Sequence, residues 1–267
     1  MAGVMTLPAA SARAESAAAS ACRFEAAGTG KVRAIIDGRS FALDDGREIR
    51  LAAIEVPFPP RSGESGTAAA AGASARAALA SILADQTVEL RQSTATPDRY
   101  GRMLAFVYVE REGARRSAVH EMLGRGFARV SAHVGNRACA DELLAQERTA
   151  RQAKLGLWSE PYYVILGADS AAELAAERGH FTVVEGKVSS VRESGGTIYV
   201  NFGRRWSQAL TVTILKRHER TFAAVGMEPK KLENRRVRVR GWLEERNGPR
   251  IEAAHPEQIE IAERGHE

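Results

Sequence analysis

The most regular pattern of chemically active side chains lies in the last third of the chain, in the alternating run RVRVR at Arg236–Arg240. Successive side chains of a β-strand point to opposite faces, so the run predicts a strand with three guanidinium groups on one face. Guanidinium groups hold phosphate through two parallel hydrogen bonds. We therefore expect Arg236, Arg238 and Arg240 to bind nucleic acid or another polyanion. Alternatively, this face packs against the first half of the chain and against Glu244, Glu245 and Glu252.

A second basic cluster, Arg204-Arg205-Trp206, precedes this strand, and Trp242 follows it closely. Arginine interleaved with aromatic rings suits single-stranded nucleic acid, because each stacked base contributes about 1–3 kcal/mol. The sequence thus predicts that Arg204, Arg205 and Trp206 belong to the same binding surface as the arginine strand.

The charge of the whole chain permits a polyanion partner but also fits a high-GC genome that favours arginine codons. The 267 residues carry 38 Lys and Arg against 33 Asp and Glu, for a net charge of +5, and 32 of the basic residues are Arg. Residues 180–267 hold 16 basic and 12 acidic residues, so most of the excess lies there. No apolar run approaches the ~20 residues of a membrane span. Two cysteines are too few for a disulfide-dense scaffold or a four-thiolate zinc site.

The N-terminal residues and the two cysteines bear on the cellular compartment. Residues 1–23 are rich in Ala and Ser, which predicts a disordered leader or signal-peptide remnant. The small-x-small run Ala12–Ala14 favours export to the periplasm or the exterior, with a cytoplasmic protein as the alternative. In an exported protein, Cys22 and Cys139 are expected to form a disulfide that closes a long loop. In a cytoplasmic protein they are two unpaired buried thiols.

The first half of the chain has the element order of an OB-type barrel. Apolar periodicity and Asp-Gly turns predict three strands, a helix, two strands and two further helices. The expected elements are Val32–Ile36, Ser40–Leu43, Glu48–Ile54, Thr67–Asp85, Thr87–Arg91, Arg102–Glu110, Ser117–Gly126 and Ala138–Leu155. We predict a five-stranded OB barrel with helical additions over residues 24–160.

The second half repeats this order without repeating the sequence. An ordered connector is expected over residues 161–179, with a short helix at Ser170–Glu177, and residues 263–267 form a tail. Between them, the patterns predict strands at Phe181–Val191, Thr197–Phe202, Ala209–Leu215, Arg236–Glu245, Arg250–Ala254 and 259–261, with a helical stretch at Arg217–Val225. The predicted fold class is therefore mainly β with α additions: an OB barrel followed by a smaller OB-like barrel at residues 180–262.

Two motifs of the first half are specific when they occur in this order: DRYGR at Asp98–Arg102 and KLGLW at Lys154–Trp158. They follow the runs KVRAIIDGRSFAL from Lys31 and REIRLAAIEVP from Arg47. With these runs, the segment from Lys31 to Trp158 resembles the thermonuclease (staphylococcal-nuclease-like) family. An OB-like domain follows the nuclease-like domain in some bacterial members of that family.

The resemblance implies phosphodiester hydrolysis with one Ca²⁺, in which carboxylates bind the metal, two arginines hold the phosphate and a glutamate activates water. Carried over by motif, the phosphate-holding positions are Arg50 and Arg102. Glu55 occupies a metal-carboxylate position, and the neighbouring carbonyl is that of Val56. Tyr100 matches a residue that stacks on the nucleotide; alternatively, its ring has a packing role.

Two positions depart from the family pattern. Arg39 follows Asp37-Gly38 where a metal-binding carboxylate is expected, and Phe58 replaces the glutamate expected after Pro57. A cation at the position of a ligand opposes Ca²⁺ binding, and loss of the base lowers the rate by about 10²–10⁴-fold. Arg39 is expected to pair with Glu55, to bind phosphate, or to do both. The candidates for a substitute carboxylate are Asp37, Asp44 and Glu64.

These residues support three hypotheses about function. The first is a degenerate site that binds nucleic acid or another polyanion without efficient cleavage and needs no cofactor. The second is an active, atypical nuclease that uses Glu55, Arg50, Arg102, a substitute carboxylate and Ca²⁺. The third is an envelope structural or interaction protein. His120 and His255 have no Cys or His nearby in sequence at metal-ligand spacing, so both are predicted to be structural.

Overall fold

The computed structural model describes residues 20–57, 66–92, 96–160, 162–205 and 207–262. Its first half contains eight strands and three helices within those residues. The strands are β1 (Glu25–Ile35), β2 (Ser40–Leu43), β3 (Glu48–Leu51), β4 (Ile54–Glu55), β5 (Thr87–Gln92), β6 (Met103–Arg111), β7 (Ala114–Ser117) and β8 (Arg129–Val130). The helices are α1 (Thr67–Leu83), α2 (Ala118–Gly124) and α3 (Arg137–Gln152).

Five of these strands close into a barrel, which we call the first barrel. The order around it is β3-β2-β1-β5-β6, and a parallel pairing of β3 with β6 completes the ring. Its interior holds fully buried side chains such as Phe41, Ile49 and Phe106, and the apolar face of α1 packs on it through Leu79 and Ile82. This is the OB order that the sequence predicted.

The second half follows with eight strands and two short helices in the described segments. The strands are β9 (Ile165–Gly167), β10 (Phe181–Lys187), β11 (Ser190–Ser194), β12 (Thr197–Asn201), β13 (Thr211–Leu215), β14 (Arg236–Glu245), β15 (Pro249–Glu252) and β16 (Ile259–Ile261). The helices are α4 (Ala171–Ala176) and α5 (Glu219–Ala223).

These strands form a second barrel with the same ring. The order is β11-β12-β13-β15-β14-β10, and β10 continues into β11 through Val188 and Ser189, which closes the circle. Strands β13 and β15 pair in parallel, as β3 and β6 do in the first barrel. The second barrel has its own apolar core, which includes Val184, Val212 and Ile251.

Some predicted boundaries need correction. The single strand predicted at Phe181–Val191 is two strands, because the chain bends where Val188 exchanges backbone hydrogen bonds with Arg235 and Asn234 instead of continuing the β10 ladder. The segment predicted as a connector contains β9, which pairs in parallel with β10 and so extends the second sheet.

The end of the predicted leader is ordered. Cys22 and Cys139 form a disulfide across a sequence separation of 117 residues. The carboxylate of Glu142 accepts hydrogen bonds from the hydroxyl of Ser20 (2.8 Å) and the backbone N–H of Ala21 (2.6 Å). The prediction of disorder up to residue 23 was therefore wrong for residues 20–23, and residues 1–19 and 263–267 lie outside the described chain. Of the helices within the described ranges, none is long and apolar enough to cross a membrane.

Candidate functional site

Arg39 lies in the turn between β1 and β2, at one end of the first barrel. Its N–H donates to Oδ1 of Asp37 (2.8 Å), and its carbonyl accepts from the N–H of Leu51 (2.7 Å). Helix α1 packs directly on this turn, since a Cβ on Gly38 would lie 2.8 Å from the Cβ of Ala75. Barrel and helix together thus fix the backbone from which the Arg39 side chain starts.

The Arg39 guanidinium pairs with Glu55. Its Nη1 donates to Oε2 of Glu55 and to the carbonyl oxygen of Ile54, the latter at 3.0 Å. Both side chains are largely shielded, with 9% of Arg39 and 15% of Glu55 exposed. The Arg39 guanidinium therefore contacts the carboxylate that matches a family metal ligand and the carbonyl of Ile54, whereas the carbonyl that the family motif implies as a ligand is that of Val56. This is one of the two arrangements that the sequence analysis proposed for Arg39.

Asp98 lies beside the two arginines at the phosphate-holding positions, Arg50 and Arg102. Its Oδ2 accepts from Nε of Arg102 at 2.9 Å and lies 3.9 Å from Nη1 of Arg50. Its Oδ1 accepts from the backbone N–H groups of Tyr100 (2.9 Å) and Arg102 (3.0 Å). Burial raises the pKa of Asp98, but these hydrogen bonds outweigh it, so the pKa lies below its ordinary value and the group stays ionised.

Arg50 lies within the field of two other guanidinium groups. Burial, followed by repulsion from Arg39 and Arg102, lowers the pKa of Arg50, while Glu55 and Asp37 act in the opposite direction. The distance between Arg50 and Asp98 exceeds that of a hydrogen bond, so this pair is only loosely engaged. Arg39, Arg50 and Arg102 therefore form one basic cluster, in which a phosphate oxygen can compete with Asp98 for Arg50.

Tyr100 extends an aromatic ring from the edge of this cluster. It is 68% exposed, and the guanidinium carbons of Arg99 and Arg102 lie 5.2 and 5.0 Å from its ring centroid. An exposed ring beside phosphate-binding groups can stack on a base or sugar. The structure thus places an exposed ring beside the basic cluster, and the stacking of Tyr100 on a nucleotide stays a prediction.

The described residues do not fit a bound Ca²⁺. Ca²⁺ needs six to eight oxygen ligands, whereas the carboxylate of Glu55 is engaged by the Arg39 guanidinium. A divalent cation at that carboxylate would lie against the positive charge of Arg39, and the repulsion is large in a shielded position.

The proposed substitute carboxylates differ in position. Asp37 lies in the same turn, but its Oδ1 accepts from the Arg39 N–H. Asp44 follows the far end of β2, about 16 Å along the strand from Arg39, so it lies away from the basic cluster. Glu64 and Phe58 lie outside the described residues.

The arginine strand alternates as predicted, but its partners are carboxylates. Nε of Arg236 and Nη2 of Arg238 donate to the two oxygens of Glu185 on β10, at 2.6 and 2.5 Å. Burial raises the pKa of Glu185, and the two arginines overcome this and lower it. Arg236 remains 55% exposed, whereas Arg238 is only 17% exposed. Of these two, Arg236 has the more accessible guanidinium.

Arg240 does not face solvent, so the prediction that it binds nucleic acid was wrong. Its side chain is 1% exposed and lies between the two barrels. Nη1 donates to Oε2 of Glu147 on α3 (2.8 Å) and to the carbonyl of Val130 (3.0 Å), and Nη2 donates to Glu260. Burial opposes the charge on Glu147, but Arg240 outweighs it and holds the pKa of Glu147 below its ordinary value. Arg240 therefore joins the barrels.

The carboxylates suggested from the sequence are not the ones used by the arginine strand. Glu244 lies near Arg246 and Arg250, at 3.6 and 3.9 Å. Arg204 and Arg205 are exposed in the loop after β12, so their binding role stays a prediction, and Trp206 is outside the described chain. Trp242 meets Phe181 edge to face, with the ring centroids 6.1 Å apart.

Sequence reasoning missed the anionic partners. Asp98 had a signal, because it lies four residues before Arg102 within one motif. Glu147 and Glu185 had none: they lie 93 and 53 residues from Arg240 and Arg238, and only the fold brings each pair together.

Comparison with known proteins places the chain among nucleases and nuclease homologues. Residues 48–160 match the family described as Staphylococcal nuclease homologue. The probable endonuclease LCL3 of Verticillium alfalfae is 31% identical over 184 residues, which cover 67% of this chain and 60% of that protein. Protein ParB of Escherichia coli is 33% identical over 51% of this chain and 75% of its own length. Micrococcal nuclease of Shigella flexneri is 32% identical over 49% of this chain and 74% of its own length.

Proposed function

This chain belongs to the staphylococcal nuclease family, and we propose that it binds the phosphodiester backbone of nucleic acid without efficient metal-dependent cleavage. The observation that carries the proposal is the Arg39–Glu55 pair, which neutralises a family metal ligand with a guanidinium group. Arg50 and Arg102 keep the phosphate-holding positions. The site thus retains its anion-binding part and has exchanged its cation-binding part for a fixed positive charge.

Binding proceeds through the basic cluster and Tyr100. A phosphate entering the cluster displaces the loosely held Asp98 from Arg50, which then donates to the phosphate oxygens together with Arg102. The neighbouring base or sugar stacks on Tyr100, with 68% of that residue accessible. In the second barrel, Arg204, Arg205 and Arg236 are the exposed arginines that we assign to a continuation of the nucleic-acid path.

Fluorescence anisotropy with labelled single-stranded DNA tests this proposal. The double variant Arg50→Ala, Arg102→Ala is expected to weaken binding more than tenfold. Single-strand affinity changes with salt by a slope of about 0.7 per phosphate contact, so the loss of two contacts reduces that slope by about 1.4. The matched control is Arg116→Ala, Arg137→Ala, which removes two exposed arginines of the first half. Equal weakening in both double variants would assign binding to general charge and contradict a defined site.

A gel assay of the same DNA with Ca²⁺ separates binding from cleavage. We expect intact DNA over times in which an active relative of this family degrades it completely. Ca²⁺-dependent cleavage that disappears in Arg50→Ala, Arg102→Ala would support the active, atypical nuclease instead. DNA that is neither bound nor cut at low salt would leave a structural or interaction role.

We further propose that the protein works in an oxidising compartment. The disulfide between Cys22 and Cys139 is buried and links the start of the described chain to α3, and such bonds persist outside the reducing cytosol. Labelling of the wild-type protein with a thiol reagent after denaturation is expected to find no free cysteine. Two labelled cysteines would contradict this assignment.

A further inference from the structure

Two histidines and a buried glutamate meet where the two halves of the chain touch. His133 lies between β8 and α3, while His255 and Glu257 lie between β15 and β16. Their imidazole nitrogens and carboxylate oxygen all fall within 4.8 Å of one another. Sequence spacing gave no hint of this cluster, because 122 residues separate His133 from His255.

The geometry of the cluster is that of converging ligands. The imidazole centroids of His133 and His255 lie 4.1 Å apart with an interplanar angle of 37°. Nδ1 of His133 lies 3.8 Å from Oε1 of Glu257, which is too long for a hydrogen bond. The Glu257 side chain is 8% exposed and that of His133 is 62% exposed. A buried carboxylate is thus covered by an imidazole that solvent ions can reach.

The backbone around the ligands is fixed by hydrogen bonds. The Glu257 carboxylate accepts from the N–H of Val134, at 3.3 Å. Oε1 of buried Gln258 accepts from the N–H of His255 (3.1 Å), and its Nε2 donates to the carbonyls of Arg240 and Glu252 (3.2 and 3.0 Å). The Val134 contact orients the Glu257 carboxylate in the way that outer contacts of metal ligands do, and Gln258 fixes the backbone that carries His255.

We propose that His133, His255 and Glu257 bind a late first-row divalent cation of the Zn²⁺ class at the junction of the two barrels. Imidazole nitrogens and a carboxylate are the donors that this class prefers, whereas Ca²⁺ takes oxygen ligands alone. Tetrahedral ligands at about 2.0–2.1 Å from zinc lie about 3.3 Å apart, so the ligand atoms must approach by up to about 1.5 Å. Rotation of the exposed His133 side chain supplies most of that approach, and water takes the fourth position. The ion would tie His133 of the first half to two residues of the second.

Titration of the full chain, without a polyhistidine tag, with Co²⁺ tests the proposal through the visible absorption bands of low-coordinate cobalt. One equivalent is expected to bind, to be displaced by Zn²⁺, and to weaken at least about tenfold in His133→Ala and in His255→Ala. His180→Ala is the matched control, since its side chain is 58% exposed and also lies near a glutamate. Zn²⁺ is expected to raise the melting temperature of the native protein and of His180→Ala, but not that of His133→Ala.

His133 is exposed, so its replacement keeps the fold and leaves the test interpretable. The absence of visible bands with the folded native protein at millimolar Co²⁺ would overturn the proposal. Unchanged affinity in His133→Ala, or an equal loss in His180→Ala, would overturn it as well.

Discussion

The two barrels share one ring of strands but use their arginines in opposite ways. In the first barrel, Arg39, Arg50 and Arg102 gather at one end, with an exposed aromatic ring beside them. In the second, the arginines of β14 become more buried along the strand, from 55% exposed at Arg236 to 1% at Arg240. Arginine side chains thus line a candidate binding site in the first barrel, whereas in the second barrel Arg240 stabilises the interface between the barrels.

The difference shows why charge counted along a sequence says little about binding. A guanidinium group can contribute to recognition where it is accessible or where its carboxylate partner is loosely held, as Asp98 is at Arg50. Where the partner is fully buried, as Glu147 is, the pair belongs to the architecture. The interface also reaches the site, because the β8 strand that Arg240 contacts through Val130 pairs with the β4 strand that carries Glu55.

The largest expected effect on stability comes from replacing Arg240, the arginine buried between the barrels. Arg240→Met keeps the bulk of the side chain but removes the main partner of buried Glu147, which keeps only Arg151, 3.5 Å away, and the N–H of Val130. Loss of one partner of a buried ion pair costs about 3–5 kcal/mol of stability. Urea unfolding measures the change. Arg236→Ala is the matched control on the same strand, and because Arg236 is half exposed its loss should stay below about 1 kcal/mol. Equal losses in the two variants would mean that the two ends of β14 do not differ in role.

The disulfide is a second difference between the barrels, because both cysteines of the chain lie in the first half. Cys22→Ser, Cys139→Ser frees a loop of 117 residues in the unfolded chain and is expected to cost about 2–5 kcal/mol. Thermal unfolding with and without a reductant measures the effect. A reductant should lower the melting temperature of the native protein towards that of the variant. If reduction leaves the native protein unchanged, the disulfide contributes nothing to the first barrel.

A smaller effect is expected on acidification of the Arg240→Met variant. In the native protein the pKa of Glu147 is lowered, so its contribution to stability is present above the unfolded value and is lost as the pH falls through the folded value. Without Arg240, only Arg151 and the N–H of Val130 oppose burial, so the pKa of Glu147 rises relative to the native protein and protonation relieves the variant. The stability gap between variant and native protein should therefore narrow by about 1–3 kcal/mol from pH 7 to pH 4. A constant gap would contradict the assignment of the cost to the charge of Glu147.

The sequence predicted both rings because short-range signals set them: apolar alternation, the Asp-Gly turns and the helix between the third and fourth strands. It also predicted the ion pair between Arg39 and Glu55 as one of two alternatives for Arg39, because the family motif identifies both positions. The partners of the second-barrel arginines were out of reach, because alternation predicts which side chains share a face and not what covers that face. The bend at Val188 was missed because residues 181–191 contain no Pro, Asn or Asp that would mark a turn.

Calcium binding tests the central claim most directly. Isothermal titration of Ca²⁺ into the native protein should show no saturable binding at millimolar concentrations, because the Arg39 guanidinium engages Glu55. Arg39→Asp replaces that cation with a carboxylate, frees Glu55 and should produce saturable binding at the same concentrations. Arg39→Asp, Phe58→Glu should then gain Ca²⁺-dependent cleavage of single-stranded DNA. Saturable Ca²⁺ binding by the native protein, with an affinity that Arg39→Asp leaves unchanged, would contradict the account.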